Sequence, residues 1–234
     1  MIPVYMKTGA AEEPSPTIYY LLARNGVFLV KKTALFSAAT RVDTLVGFEP
    51  HQEALDLGVP RVPRRILEAA YGFFLEVYQR WEGEAIALLY YSPQARKFQI
   101  AIPPQSLYRY RTVRGWRTES RLTYGTFPRP EGFLKLGDIH SHADMPAFFS
   151  ATDDRDDSED GLRIVLGQID RRPPDIAVSF VTGGARFYLQ REEACEPFTE
   201  AAPPPPHWME QVTCTDEKPA EERGAMHGQT YYHG

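Results

Sequence analysis

The chain has 234 residues, of which 43% are apolar and 24% charged, a composition typical of one medium globular domain with extensions. Its formal net charge of −5 argues against a protein that coats nucleic acid by charge alone. No apolar run of about 18 residues occurs, so no membrane-spanning helix is expected. Two cysteines are too few for a disulfide framework, and the N-terminus lacks a secretory pattern. We therefore expect a cytoplasmic protein.

Residues 1–60 are predicted to form a small β-rich extension. Two apolar runs, 17–23 and 26–33, flank Arg24-Asn25-Gly26. An Asn-Gly pair between two such runs is typical of a β-hairpin turn.

A helix followed by a buried strand is predicted next. From Pro63 to Gly83, apolar residues recur at steps of three and four: Ile66, Ala70, Phe73, Phe74, Val77 and Trp81. The run from Glu84 to Tyr91 is too apolar for a surface strand and predicts a central one. A turn at 92–95 then leads into a second strand over 97–102.

Residues 106–121 alternate arginines with aromatic residues: Arg109, Arg111, Arg114, Arg117 and Arg121 with Tyr108, Tyr110 and Trp116. Such a segment can stack on nucleic acid or bind an acidic partner. The composition favours the simpler interpretation, a solvated edge strand and loop, so nucleic-acid binding is not expected.

Four more strands are predicted, over 133–140, 162–169, 175–181 and 185–189, the last two joined by a turn at Gly183-Gly184. Beyond residue 192 the chain becomes polar and contains a proline run, Pro203 to Pro206. We predict that 193–234 is a disordered, Pro-rich tail.

The residues that indicate chemistry follow the 133–140 strand. His140 and His142 are two apart at its end, so both imidazoles lie on one face of the strand. Two converging imidazoles can share one metal ion, and zinc also accepts carboxylate oxygen. Asp144, Asp153 and Asp154 are the nearby candidates for a third ligand. A lone His-x-His pair is also common as surface polar residues at a strand end.

Several metalloprotein families that use His-x-His are excluded. Met145 stands where a metallo-β-lactamase pattern needs another histidine, and a zinc deaminase needs cysteine ligands that are absent here. Only 92 residues follow His142, too few to complete a metal-dependent barrel.

One pattern fits throughout. His140-x-His142, Ser150 and Asp153 at fixed spacing, with Glu84 opening an apolar strand after a helix, resemble the JAMM motif of the JAB/MPN metalloproteases. Ala143 stands where that family usually has proline. This change removes a rigidifying residue but no ligand, so it affects the loop more than the metal site.

The resemblance implies an α/β (α+β) fold over 61–192, a cytidine-deaminase-type sheet flanked by helices. It implies one Zn²⁺ per chain held by His140, His142 and Asp153, with Asp154 an exposed neighbour. Glu84 would act as general base and then general acid, and Ser150 would hydrogen-bond the oxyanion.

More of the chain, to about residue 190, resembles a bacterial subgroup of this family encoded in the PRTRC cassette. That resemblance implies a ubiquitin-like protein or its conjugate as substrate, and ThiF-like and E2-like proteins as partners. The alternative is a non-catalytic MPN-type scaffold of the same cassette. A scaffold is expected to have lost Glu84 or a ligand, and this sequence keeps all of them, which favours the enzyme.

Overall fold

The structure is a computed structural model that describes residues 2–9, 14–112, 115–119, 122–149 and 159–216. The chain divides into two units, Met1–Leu55 and Asp56–Gly234. The division lies close to residue 60, where the sequence analysis places the end of the N-terminal extension.

The first unit is a four-stranded sheet in the order β1-β2-β3-β4. Its strands are Val4–Met6 (β1), Ile18–Ala23 (β2), Gly26–Lys32 (β3) and Ser37–Arg41 (β4). The predicted hairpin is present, because β2 and β3 pair antiparallel up to Ala23 and Gly26. Strands β1 and β4 were not predicted; β1 pairs parallel with β2, and β4 extends the hairpin.

The second unit is built on one long helix and a six-stranded sheet. The helix is Arg64–Trp81 (α1). The sheet has the order β13-β12-β11-β10-β5-β6. Its strands are Ile86–Ser92 (β5), Lys97–Ala101 (β6), Leu134–Ser141 (β10), Gly161–Gly167 (β11), Asp175–Thr182 (β12) and Ala185–Leu189 (β13). Within it only β10 and β11 are parallel.

Helix α1 forms as its apolar spacing predicts, and its ends have local causes. The backbone N–H of Arg64, in the first turn, donates to the Glu196 carboxylate at 2.8 Å, a negative charge where the helix dipole favours one. The helix ends at Glu82, whose left-handed φ of 52° breaks the repeat. The predicted end at Gly83 is therefore one residue late.

The main core lies between α1 and one face of the sheet. Ala87 and Leu89 of β5, Ile139 of β10 and Ile164 of β11 belong to the same buried cluster as the apolar face of α1. Side chains alternate between the two faces of a sheet, so Leu88 points to the face opposite α1. A separate small cluster forms on that face. The predicted mixed α+β fold is confirmed, and the described residues form mostly sheet with few helices.

A smaller sheet joins distant parts of the chain in the order β14-β7-β8, with β9 pairing β7. These strands are Gln105–Thr112 (β7), Gly115–Thr118 (β8), Thr123–Tyr124 (β9) and Val212–Asp216 (β14). Strand β7 is thus flanked on both sides, unlike the predicted edge strand. Arg109 binds Asp216, with 2.8 Å between its Nε and the carboxylate. Arg114 and Arg121 lie outside the described residues.

The segment predicted as a disordered tail differs from that expectation up to Asp216. It forms two short helices, Arg191–Ala194 (α2) and Pro206–Met209 (α3), and then β14. Phe198, Met209 and Val212 are buried in the main core. The few apolar residues of this Pro-rich stretch are enough to hold it against α1 and β7. Residues 217–234 lie outside the described part.

No helix among the described residues is long and apolar enough to cross a membrane.

Candidate metal centre

The two histidines lie at the end of β10, and Glu84 lies just before the start of β5. The strands are antiparallel, and His140 pairs with Ile86. The pairing continues one step further, since Ser141 N–H donates to the Ala85 carbonyl at 2.9 Å. Glu84 and His142 are the next residues of the two segments. Because side chains alternate along a strand, a register continued by one step would place Glu84 opposite His142, on the face of the sheet that is turned away from α1.

Hydrogen bonds hold the start of β5 along both edges of the strand. Ala85 N–H donates to Ser141 Oγ at 2.9 Å. The Gln105 side chain bridges Ile86, accepting from its N–H and donating to its carbonyl, both at 3.0 Å. Glu84, half-buried, directly precedes these two anchored residues. Its backbone position is therefore set by the sheet and not by a free loop.

The imidazoles converge. The ring centroids of His140 and His142 are 5.3 Å apart, and the rings are tilted by 43°. His142 is only 5% exposed, and Nε2 of His140 and Nδ1 of His142 are buried nitrogens. Neutral imidazole nitrogens are ligands that zinc prefers. The donor chemistry of this pair fits two of the ligands of a zinc ion.

An ion pair lies beside His140. Asp138, two residues earlier on the same face of β10, has its Oδ1 3.2 Å from His140 Nδ1. Its other oxygen is 3.4 Å from Nε of Arg163 on β11. Burial alone would raise the pKa of Asp138, but the hydrogen bond with His140 and the positive charges of Arg163 and Lys135 outweigh it and lower that pKa. Asp138 is therefore held as a carboxylate.

The loop after His142 is pinned to the end of β11. His142 N–H donates to the Leu166 carbonyl and Ile169 N–H to the Ala143 carbonyl, both at 2.9 Å. Gly167 permits this contact, because a Cβ there would lie 2.2 Å from the backbone nitrogen of Ala147. The loop is thus rigid without the family's usual proline. At Ala143 φ is 50°, a value that proline cannot adopt.

Two consecutive aromatic residues continue the loop. The Phe148 ring lies 4.7 Å from the His142 ring, edge to face. Phe149 lies under the Arg186 guanidinium, 4.5 Å away, and 6.0 Å from the Tyr188 ring. These contacts fix the chain just before residue 150.

The structure brings together two of the five predicted site residues, His140 and His142, and places Glu84 just before β5, the strand that pairs with β10. Ser150 and Asp153 lie outside the described residues, as does Asp154. Among the residues that the structure describes, no group of three or more His, Cys, Asp or Glu side chains could hold a metal. Asp153 as third ligand and Ser150 as oxyanion donor therefore stay predictions.

Sequence reasoning missed Asp138, Arg163 and Gln105. The sequence carries a signal for one of them. Arg163 interrupts an otherwise apolar strand, and a charged residue inside such a run is rarely buried unless it is paired. Nothing local marks Gln105, because its partner Ile86 belongs to another sheet.

Comparisons with known proteins find a family match and a similar solved structure. Residues 79–188 match the family of prokaryotic homologs of the JAB domain. Among solved structures, the chain is similar to protein DSY2949 from Desulfitobacterium hafniense, at 14% identity and a TM-score of 0.36, over 66% of this chain and 92% of that one. No curated protein matches.

The family match spans the whole described site, from the last turn of α1 to β13. The matched segment is similar to the prokaryotic JAB domain, in agreement with the predicted resemblance at the level of the family. The family includes both metalloproteases and non-catalytic members. Any catalytic role therefore has to be argued from the residues of the site.

Proposed function

We propose that this chain is a zinc-dependent, JAMM-type peptidase or isopeptidase that hydrolyses the bond after a ubiquitin-like modifier. The observation that carries the proposal is the strand pairing that sets His140 opposite Ile86 and Ser141 opposite Ala85, one step from Glu84 and His142. A carboxylate beside two converging imidazoles is the arrangement that metal-assisted hydrolysis requires.

In this proposal His140, His142 and Asp153 hold the zinc ion. When bound, Zn²⁺ supplies a Lewis acid that acidifies water and polarises a carbonyl. The two imidazoles fit this role by their burial and convergence. Asp153 enters by its spacing from the histidines, as the JAMM motif implies.

Glu84 moves the protons. Its carboxylate takes a proton from the attacking water and delivers it to the leaving amine, so that one group acts first as base and then as acid. Its half-buried position just before β5 suits this task, because partial desolvation favours proton uptake by a carboxylate. Ser150 donates a hydrogen bond to the oxyanion that forms, a contribution of about 3 kcal/mol in comparable enzymes.

The substrate class follows from the resemblance to protein A of the PRTRC cassette. The substrate is a ubiquitin-like protein or its conjugate, and the ThiF-like and E2-like proteins of the cassette are partners. The match of residues 79–188 to prokaryotic homologs of the JAB domain supports the type of domain.

The test is Glu84→Gln, assayed on two substrates. One is a linear fusion of the cassette's ubiquitin-like protein to a fluorescent protein, and the other is an isopeptide conjugate of the same ubiquitin-like protein. We expect the variant to retain zinc and to lose activity by about 100- to 10,000-fold, because general base catalysis is worth that much. Glu82→Gln is the matched control. Glu82 is exposed and ends α1 two residues earlier, so its loss should leave the rate unchanged.

Full activity of Glu84→Gln would show that Glu84 is not the general base. If zinc-loaded wild type binds the fusion but cleaves neither substrate, the chain is a non-catalytic scaffold and not a peptidase.

A further inference from the structure

The ion pair beside His140 is buried at both ends. Asp138 is 9% and Arg163 5% exposed. They are register partners on the parallel strands β10 and β11. Arg163 is anchored in turn, because its Nη2 donates to the Glu159 carbonyl at 2.8 Å.

The pair lies among apolar side chains. Its neighbours on the same face of the sheet include Leu88, opposite Asp138, and Val165, two residues after Arg163, and both are buried. Removing two charges from water costs several kcal/mol per ion, and well-packed apolar residues at such positions are often as stable or more stable. The pair therefore calls for an explanation other than stability, and the group that Asp138 contacts besides Arg163 is His140.

We propose that Asp138, held by Arg163, fixes His140 as the Nδ1–H tautomer and so presents the lone pair of Nε2 to the metal. The inference rests on the proposed function, in which His140 is a zinc ligand. A carboxylate paired with a guanidinium has only acceptor oxygens, so the Nδ1 that lies 3.2 Å from Asp138 is the donor. The proton is then excluded from Nε2, the buried nitrogen at the other edge of the ring.

Asp138 is thus a positioning residue that acts through His140. A carboxylate that accepts from the far nitrogen of a metal-bound imidazole fixes the ring's orientation and raises its basicity. Arg163 completes the arrangement, since a carboxylate held by a guanidinium on the next strand cannot rotate away from the ring.

The experiment has two readouts on the full chain. The first is the His140 tautomer in metal-free protein, measured by long-range ¹H–¹⁵N correlation and assigned with His140→Gln. The second is the zinc dissociation constant, from competition with a chromophoric chelator. The variants are Asp138→Asn and, because that change leaves Arg163 as a buried unpaired charge, Asp138→Asn with Arg163→Met. Asp170→Asn is the control, an exposed aspartate in the turn after β11.

We expect wild type and Asp170→Asn to show Nδ1–H. Both Asp138 variants should gain the Nε2–H form, since an amide can donate to Nδ1, and should bind zinc about 10- to 100-fold more weakly. An unchanged tautomer in folded Asp138 variants overturns the inference, even if zinc binding weakens.

Failure of the proposed function is distinguishable. If wild type binds no zinc, the zinc peptidase falls. The tautomer in metal-free protein then decides alone whether Asp138 controls His140.

Discussion

Ala143 has a left-handed backbone directly after the second histidine, with φ of 50°. Its carbonyl is also held by Ile169 N–H at 2.9 Å. Left-handed backbone costs a residue with a Cβ about 1 kcal/mol or more, and proline is locked near −65°. The family's usual proline would therefore not fit this loop in its present conformation.

We expect Ala143→Pro to lower the free energy of unfolding by about 2 kcal/mol or more, and Ala143→Gly to leave it unchanged or raise it slightly. Urea denaturation measures both. Ala95→Gly is the control, an exposed turn residue outside the positive-φ set, where glycine should cost up to about 1 kcal/mol. A stable Ala143→Pro would show that the loop adopts another backbone.

Among the secondary-structure elements, the local sequence pattern predicted those that form through interactions between residues close in sequence. The three- and four-residue spacing located α1, and the continuous apolar run located β5, which is buried along its whole length. The spacing of two located the shared face of His140 and His142. These features depend on neighbours in sequence, so they are legible in one chain.

Long-range pairing could not be predicted in this way. Strand β14 pairs with β7 across more than half of the second unit, from Val212 to Gln105, and neither segment carries a mark of its partner. The same limit hid the pairing of Asp138 with Arg163, which belongs to two strands separated by the loop of the site. Pro-rich composition also obscured the few apolar anchors of the segment around Val212.

Those anchors make a prediction about β14. Val212 is buried in the main core, whereas Thr213 beside it is exposed. Val212→Ala should lower the free energy of unfolding by about 1 to 2 kcal/mol, since it removes buried methyl groups. Thr213→Ala should change it by less than about 0.5 kcal/mol. Equal effects of the two substitutions, measured by urea denaturation, would contradict the packing of this segment.

At the scale of the whole molecule, Cys195 reports on the integrity of the main core. It is 1% exposed. Its backbone forms a β-bridge with that of Val62, just before α1. Burial raises the pKa of its thiol to about 12. The thiolate is the reactive form, so the folded protein keeps Cys195 inert at moderately alkaline pH. Cys214 on β14 is partly exposed.

With iodoacetamide at about pH 8.5, where a free thiol titrates, we expect Cys214 to be alkylated first and Cys195 only at the rate of global unfolding. Because the pKa of Cys195 is higher in the folded state, its contribution to stability is present below about pH 8.5 and is lost as pH rises towards 12. Mass spectrometry of the peptides measures the order. Rapid alkylation of Cys195 in native protein would contradict the burial of its side chain.

The central claim is that His140 and His142 belong to a zinc site, and elemental analysis tests it most directly. The samples are wild type, His142→Ala and His51→Ala, an exposed histidine of the first unit, all purified after zinc supplementation and dialysis. We expect about one zinc per chain in wild type and His51→Ala, and loss of it in His142→Ala. No zinc in wild type, or undiminished zinc in His142→Ala, would contradict it.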